Sequence, residues 1–113
     1  MGGDLHLLLA RIRELSQERT DLPPQPLLAE IEHTLTDGYA RALALEGESW
    51  RIQKRIGELA AKIESSEQAG ELRRLGERLA RATGELAGLR ASLEILRRRA
   101  EAVRGLRSDA AVR

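Results

Sequence analysis

From Leu28 onward, apolar and small residues recur at alternating steps of three and four. The series is Leu28, Ile31, Leu35, Gly38, Ala42, Leu45, Ser49, Ile52, Ile56, Leu59, Ile63 and Ser66. This is the heptad spacing of a helix that lays one seam against another helix. A second series with the same steps starts at Leu72 and runs through Leu75, Leu79, Ala82, Leu86, Leu89, Leu93, Leu96 and Ala100 to Val103. A shorter one precedes both: Leu5, Leu8, Ile12 and Leu15, with Leu9 beside them.

These stripes predict three helices. The first runs from about residue 4, with Asp4 as its N-cap, to about residue 19. Residues 20–26 form a corner, because Pro23, Pro24 and Pro26 remove backbone donors and push the residues before them out of the helical region. The second helix is expected over about 26–65, with Pro24 or Pro26 in its first turn. Ile63 and Leu72 are nine residues apart, a gap that no continuous heptad register absorbs. The Ser-Ser-Glu-Gln-Ala-Gly stretch between them therefore reads as a hairpin loop over about 65–70, with Gly70 free to take a positive φ. The third helix is expected over about 71–104, capped by Gly105, with a loose tail at 105–113.

A bend centred near residue 68 sets a register for the hairpin. It places Gly38 near Leu96, Ala42 near Leu93 and Ser49 near Leu86, so small residues meet leucines. It also brings Asp37 near Arg99 and Glu32 near Arg104. Gly38 and Gly47, each disfavoured in a helix interior by about 1 kcal/mol relative to Ala, suggest close approach of a neighbour.

The hairpin has apolar surface left over. Tyr39, Leu43 and Trp50 lie off the seam of the second helix, and Gly76, Ala80, Gly84, Ala87, Ala91 and Ile95 make a stripe off the seam of the third. The first helix, roughly 24 Å long, is too short to cover a hairpin of roughly 60 Å. It is expected over the Tyr39–Leu43 region. The rest, Trp50 included, is expected to pack on a second copy, so Tyr39, Leu43, Trp50, Gly84, Ala87 and Ala91 are the candidate protein-interface residues.

Composition narrows the chemistry. The chain has 113 residues, 33% of them charged, 2% aromatic, with no Phe and no Cys. That is the make-up of long helices rather than of a mixed core, and it removes disulfides, thiolate metal sites and cysteine nucleophiles. The start lacks the cationic head of a signal peptide, and no run reaches the length of a membrane span, so the expected location is cytoplasmic. Residues 1–70 hold 8 basic and 12 acidic side chains, residues 71–113 hold 11 and 6. An antiparallel hairpin pairs these halves within the chain.

Three constellations bear on function. Glu30 and His33 have the Glu-x-x-His spacing used by di-iron bundles, yet Ile31 and Leu35 are the inward positions, which turns the pair outward. Arg97, Arg98, Arg99, Arg104 and Arg107 form a basic end that suits phosphate contacts or, within the chain, the negative end of a helix. No serine has a histidine at a catalytic spacing and no strand precedes a glycine-rich loop.

The expected fold class is all-α: a short N-terminal helix plus a long antiparallel helical hairpin, coiled-coil-like, dimerising into a helical bundle as a single domain. Its outline resembles the helical hairpins of prefoldin subunits and of the seryl-tRNA synthetase arm, without a diagnostic motif of either, and no function carries over. The expected function is a non-enzymatic protein–protein interaction or oligomerisation module, without cofactor or metal, whose partner is a second copy or another protein. The alternatives are a nucleic-acid helper using the arginine end and a bundle metalloprotein using Glu30 and His33.

Overall fold

The computed structural model describes the backbone of residues 2–17 and 23–112, and the side chains of residues 4–17 and 23–106. Three helices account for nearly all of it: α1 (Gly2–Ser16), α2 (Pro24–Ala60) and α3 (Ser66–Val112), with no strand among the described residues. Their packing is that of a helical bundle, and the chain divides into two compact units. None of the described helices is long and apolar enough to cross a membrane.

The helix ends differ from expectation for local reasons. Asp4 is in the first turn of α1 rather than capping it, and α1 closes at Ser16, whose hydroxyl donates back to Ile12 O at 2.6 Å. The first part of the proline corner, residues 18–22, lies outside the described residues. Leu27 N donates to Pro23 O at 3.0 Å, so Pro24 and Pro26 both fall in the first turn of α2, where a missing N–H leaves nothing unpaired.

The hairpin loop is at residues 61–65, not 65–70. Ser65 is the N-cap of α3: its Oγ accepts from Gln68 N at 3.2 Å, while Gln68 Oε1 accepts from Glu64 N at 2.6 Å. This is close to the reciprocal bonding of a capping box, and it starts a helix where the absence of apolar residues suggests a loop. Ile63, placed on the seam by its spacing, is in the loop and 42% exposed. Neither Gly70 nor Gly105 has a positive φ; both are inside α3, which continues to Val112 and replaces the expected tail with helix.

The first unit comprises Met1–Arg41 and Leu89–Arg113. Here the seam of α2 (Leu28, Ile31, Leu35, Gly38) and that of α3 (Leu89, Leu93, Leu96, Ala100, Val103) are buried, as are Leu5 and Ile12 of α1. Gly38 faces Leu93 rather than Leu96, and Glu32 meets Arg104 at 3.0 Å, so α2 and α3 run antiparallel. Asp37 lies 3.6 Å from His33 instead of meeting Arg99.

α1 occupies the other flank of α2 from Tyr39. Arg11 pairs with Glu30, and a cleft lined by Asp4, Leu7, Leu8, Arg11, Asp37 and Arg41 marks the line of contact. Leu27 and Thr34 are buried on this flank; neither belongs to the heptad series. Tyr39, about 160–180° around the helix from Glu30 and Asp37 at 100° per residue, stays 50% exposed, and Leu43, which belongs to the second unit, is 69% exposed. The expectation that α1 covers them is therefore corrected.

The second unit, Ala42–Gly88, is a two-helix pair. Ile52, Leu59 and Leu75 form its buried cluster, with Ile56, Leu72 and Leu79 packed against it. Arg55 bonds Glu71 across the two helices at 3.2 Å.

Candidate interaction surface

All six residues singled out from the sequence are exposed: Tyr39 and Ala91 in the first unit, Leu43, Trp50, Gly84 and Ala87 in the second. α2 positions Leu43 and Trp50 seven residues apart, two turns, so both leave the helix on one flank. Leu43 is 69% and Trp50 61% exposed, in a helix whose seam leucines and isoleucines are otherwise sorted inward. Lys54 Nζ sits 5.3 Å from the Trp50 ring centroid, an exposed cation–π contact worth about 0.5–1 kcal/mol that holds the indole without covering it.

On α3 the small residues follow a different line. Counted from the buried seam, Gly84 and Ala91 point almost directly away from α2, whereas Ala87 turns toward the flank that carries Leu43 and Trp50. A side chain added at Gly84 would meet nothing within 4 Å, and the same holds at Gly76 and Gly88. Gly47 has only its own helix's Arg51 nearby, at 3.4 Å, so no neighbour approaches there; of the two glycines expected to mark a close approach, only Gly38 does.

Sequence reasoning missed Thr83. Its Oγ1 donates to Leu79 O at 2.9 Å and to Ala80 O at 3.1 Å. With the hydroxyl turned into its own helix, the residue offers its methyl group to the surface. The i−4 back-bond is a known habit of helical threonine, but only the structure shows that it is made here.

Three arginines of the basic end, Arg97, Arg98 and Arg104, are paired within the chain, whereas Arg99 Nε is buried without a hydrogen-bond partner. Arg97 donates from Nε and Nη2 to both oxygens of Glu94, at 3.1 and 2.6 Å, and from Nη1 to Glu101 at 2.7 Å. The Glu94 carboxyl is held below its ordinary value, first by the hydrogen bond from Arg97 and then by the Arg97 and Arg98 charges. Arg97 is raised, first by that same bond and then by the charges of Glu94 and Glu101. Arg98 shares Glu94 at 3.4 Å and Arg104 holds Glu32. Arg107 lies outside the described side chains.

The Glu-x-x-His pair is likewise engaged. Glu30 takes Arg11 of α1 and His33 takes Asp37. No cluster of three or more His, Asp or Glu suited to a metal ion occurs among the described residues. The chain matches no family model, no curated protein and no solved structure.

Proposed function

We infer that the chain is a non-enzymatic, coiled-coil-like interaction or oligomerisation module, which works by docking its uncovered apolar side chains on a second copy or another protein. The observation that carries this is the exposure of Leu43 and Trp50 on a helix whose heptad leucines and isoleucines are buried or partly buried. Exposed large side chains that cluster mark binding surfaces more often than isolated ones do, and tryptophan is enriched among binding anchors. The arginine end supports a nucleic-acid role less, since Arg97 and Arg104 already hold carboxylates.

The test is the solution mass and its response to the anchors. Light scattering at micromolar concentration is expected to give a mass above 12.5 kDa, or, with a protein partner, native lysate is expected to yield a retained species. Leu43→Ala/Trp50→Ala should weaken either association. A strictly monomeric chain that also retains no partner, with or without the substitutions, removes the reading.

A further inference from the structure

The side of the first unit that α1 covers collects polar atoms that nothing pairs. Among the described residues, four buried side-chain nitrogen or oxygen atoms lack a hydrogen-bond partner: Thr34 Oγ1, Arg41 Nε, Ser49 Oγ and Arg99 Nε. Ser49 belongs to the second unit. The other three share one side of the first. Thr34 and Arg41 are seven residues apart on α2, on the flank with Leu27, and Arg41 lines the cleft beside Leu7 and Leu8 of α1. Arg99 stands to Leu96 and Ala100 of α3 as Thr34 stands to Ile31 and Leu35 of α2. Because the two helices are antiparallel, these equivalent positions emerge on the same side of the pair.

Docking α1 on this side therefore carries a cost. Thr34 is 0% exposed, and a hydroxyl taken out of water without a partner opposes the burial that removes it. The inward stripe of α1, Leu5, Leu8, Ile12 and Leu15, carries no side-chain acceptor.

What holds α1 is limited. Leu5 and Ile12 are its buried side chains, while Leu8, Leu9 and Leu15 are half-buried. Its ion pair, Arg11 with Glu30, is nearly half exposed on both partners and so contributes little. A cleft of about 320 Å³ stays open along the line of contact, which leaves its lining short of dispersion partners. The seam beneath does not depend on α1. Leu28, Ile31, Leu93, Leu96 and Ala100 are buried along it, and in the second unit the same two helices pack around Ile52, Leu59 and Leu75 as a pair.

We propose that α1 is a releasable cover, which leaves the flank of Leu27, Thr34 and Arg41 as a unit while the α2–α3 seam stays closed. Release hydrates the Thr34 hydroxyl and both Nε groups, and it uncovers Leu5, Ile12 and Leu27. A lone helix of 15 residues is marginal in water, so the released segment unwinds. The cover is thus either docked and helical or free and unfolded. The device is separate from the Leu43–Trp50 surface and needs no partner to operate.

Hydrogen exchange on the full chain, followed by NMR in native buffer and in low urea, reads the release. After correction for intrinsic rates, amides 8–16 of α1 are expected to exchange at least about tenfold faster than amides 31–38 of α2 and 93–100 of α3. Their urea dependence should be smaller, because release exposes less surface than opening of the seam. Thr34→Val keeps the shape of the side chain and nearly the same helix preference but removes the hydroxyl. It should slow exchange in α1 by about tenfold and leave residues 52–59 of the other unit unchanged. Thr34→Ser, which keeps the hydroxyl and loses the methyl group, should not slow it.

Equal rates with equal urea dependence in α1 and in the seam would show that α1 opens only with the bundle, which overturns the proposal. Exchange in α1 that Thr34→Val leaves unchanged overturns it as well, since the buried hydroxyl would then not be what loosens the cover.

Discussion

At the scale of residues, the glycines show how identical chemistry takes opposite signs. A Cβ built on Gly38 would run into Leu93 Cδ2, with Cγ at 3.3 Å and Cδ1 at 3.4 Å. Leu93 is buried, 2% exposed, and cannot swing into solvent. Overpacking of this kind costs about 1–3 kcal/mol, which outweighs the gain of about 1 kcal/mol from replacing a helical Gly by Ala. Gly38→Ala is therefore expected to destabilise the chain. Gly88→Ala, with open space around it, should stabilise it by up to about 1 kcal/mol. Urea titrations of the two variants check this; two shifts of the same sign would mean that Gly38 is not a packing residue.

The elements show where apolar spacing stops being informative. The seam from Leu28 to Leu59 and from Leu72 to Val103 was legible because burial in a helix pair imposes the heptad on the side chains. The start of α3 was not read, because its first turn buries little and is set instead by hydrogen bonds. The signal was nonetheless present as Ser65-x-x-Gln68, the spacing of a cap and its reciprocal partner. Ser65→Ala is expected to lose about 0.5–2 kcal/mol of stability, seen as a lower denaturant midpoint and as faster amide exchange over residues 66–69. Unchanged exchange there would mean the cap does not hold the helix start.

For the whole molecule, the consequential choice is where α1 lies. The stripe Leu5, Leu8, Ile12 and Leu15 makes α1 amphipathic but does not name the flank of α2 it covers. Packing assigns it the flank with Leu27, Thr34, Glu30 and Arg41, and so leaves Tyr39 uncovered in the first unit. Leu43 and Trp50 are likewise uncovered in the second. Ile12, 2% exposed, anchors that placement. Ile12→Ala should cost about 2–5 kcal/mol locally. Amide exchange is expected to rise around residues 27–38 and to stay near its original rate around 52–59, which belong to the other unit. Equal loss of protection in both stretches would show that the two units open together.

The sequence alone determined the all-helical class, the seams and the Glu32–Arg104 pair, because each depends on periodicity or on long side chains that tolerate a few residues of register error. It also identified Tyr39, Leu43 and Trp50 as off-seam residues. Tertiary structure decided the register that brings Gly38 to Leu93, the flank taken by α1, and hence which apolar residues remain uncovered. Those outcomes turn on close packing between elements distant in sequence, where a shift of one turn exchanges neighbours, and no local pattern carries that information.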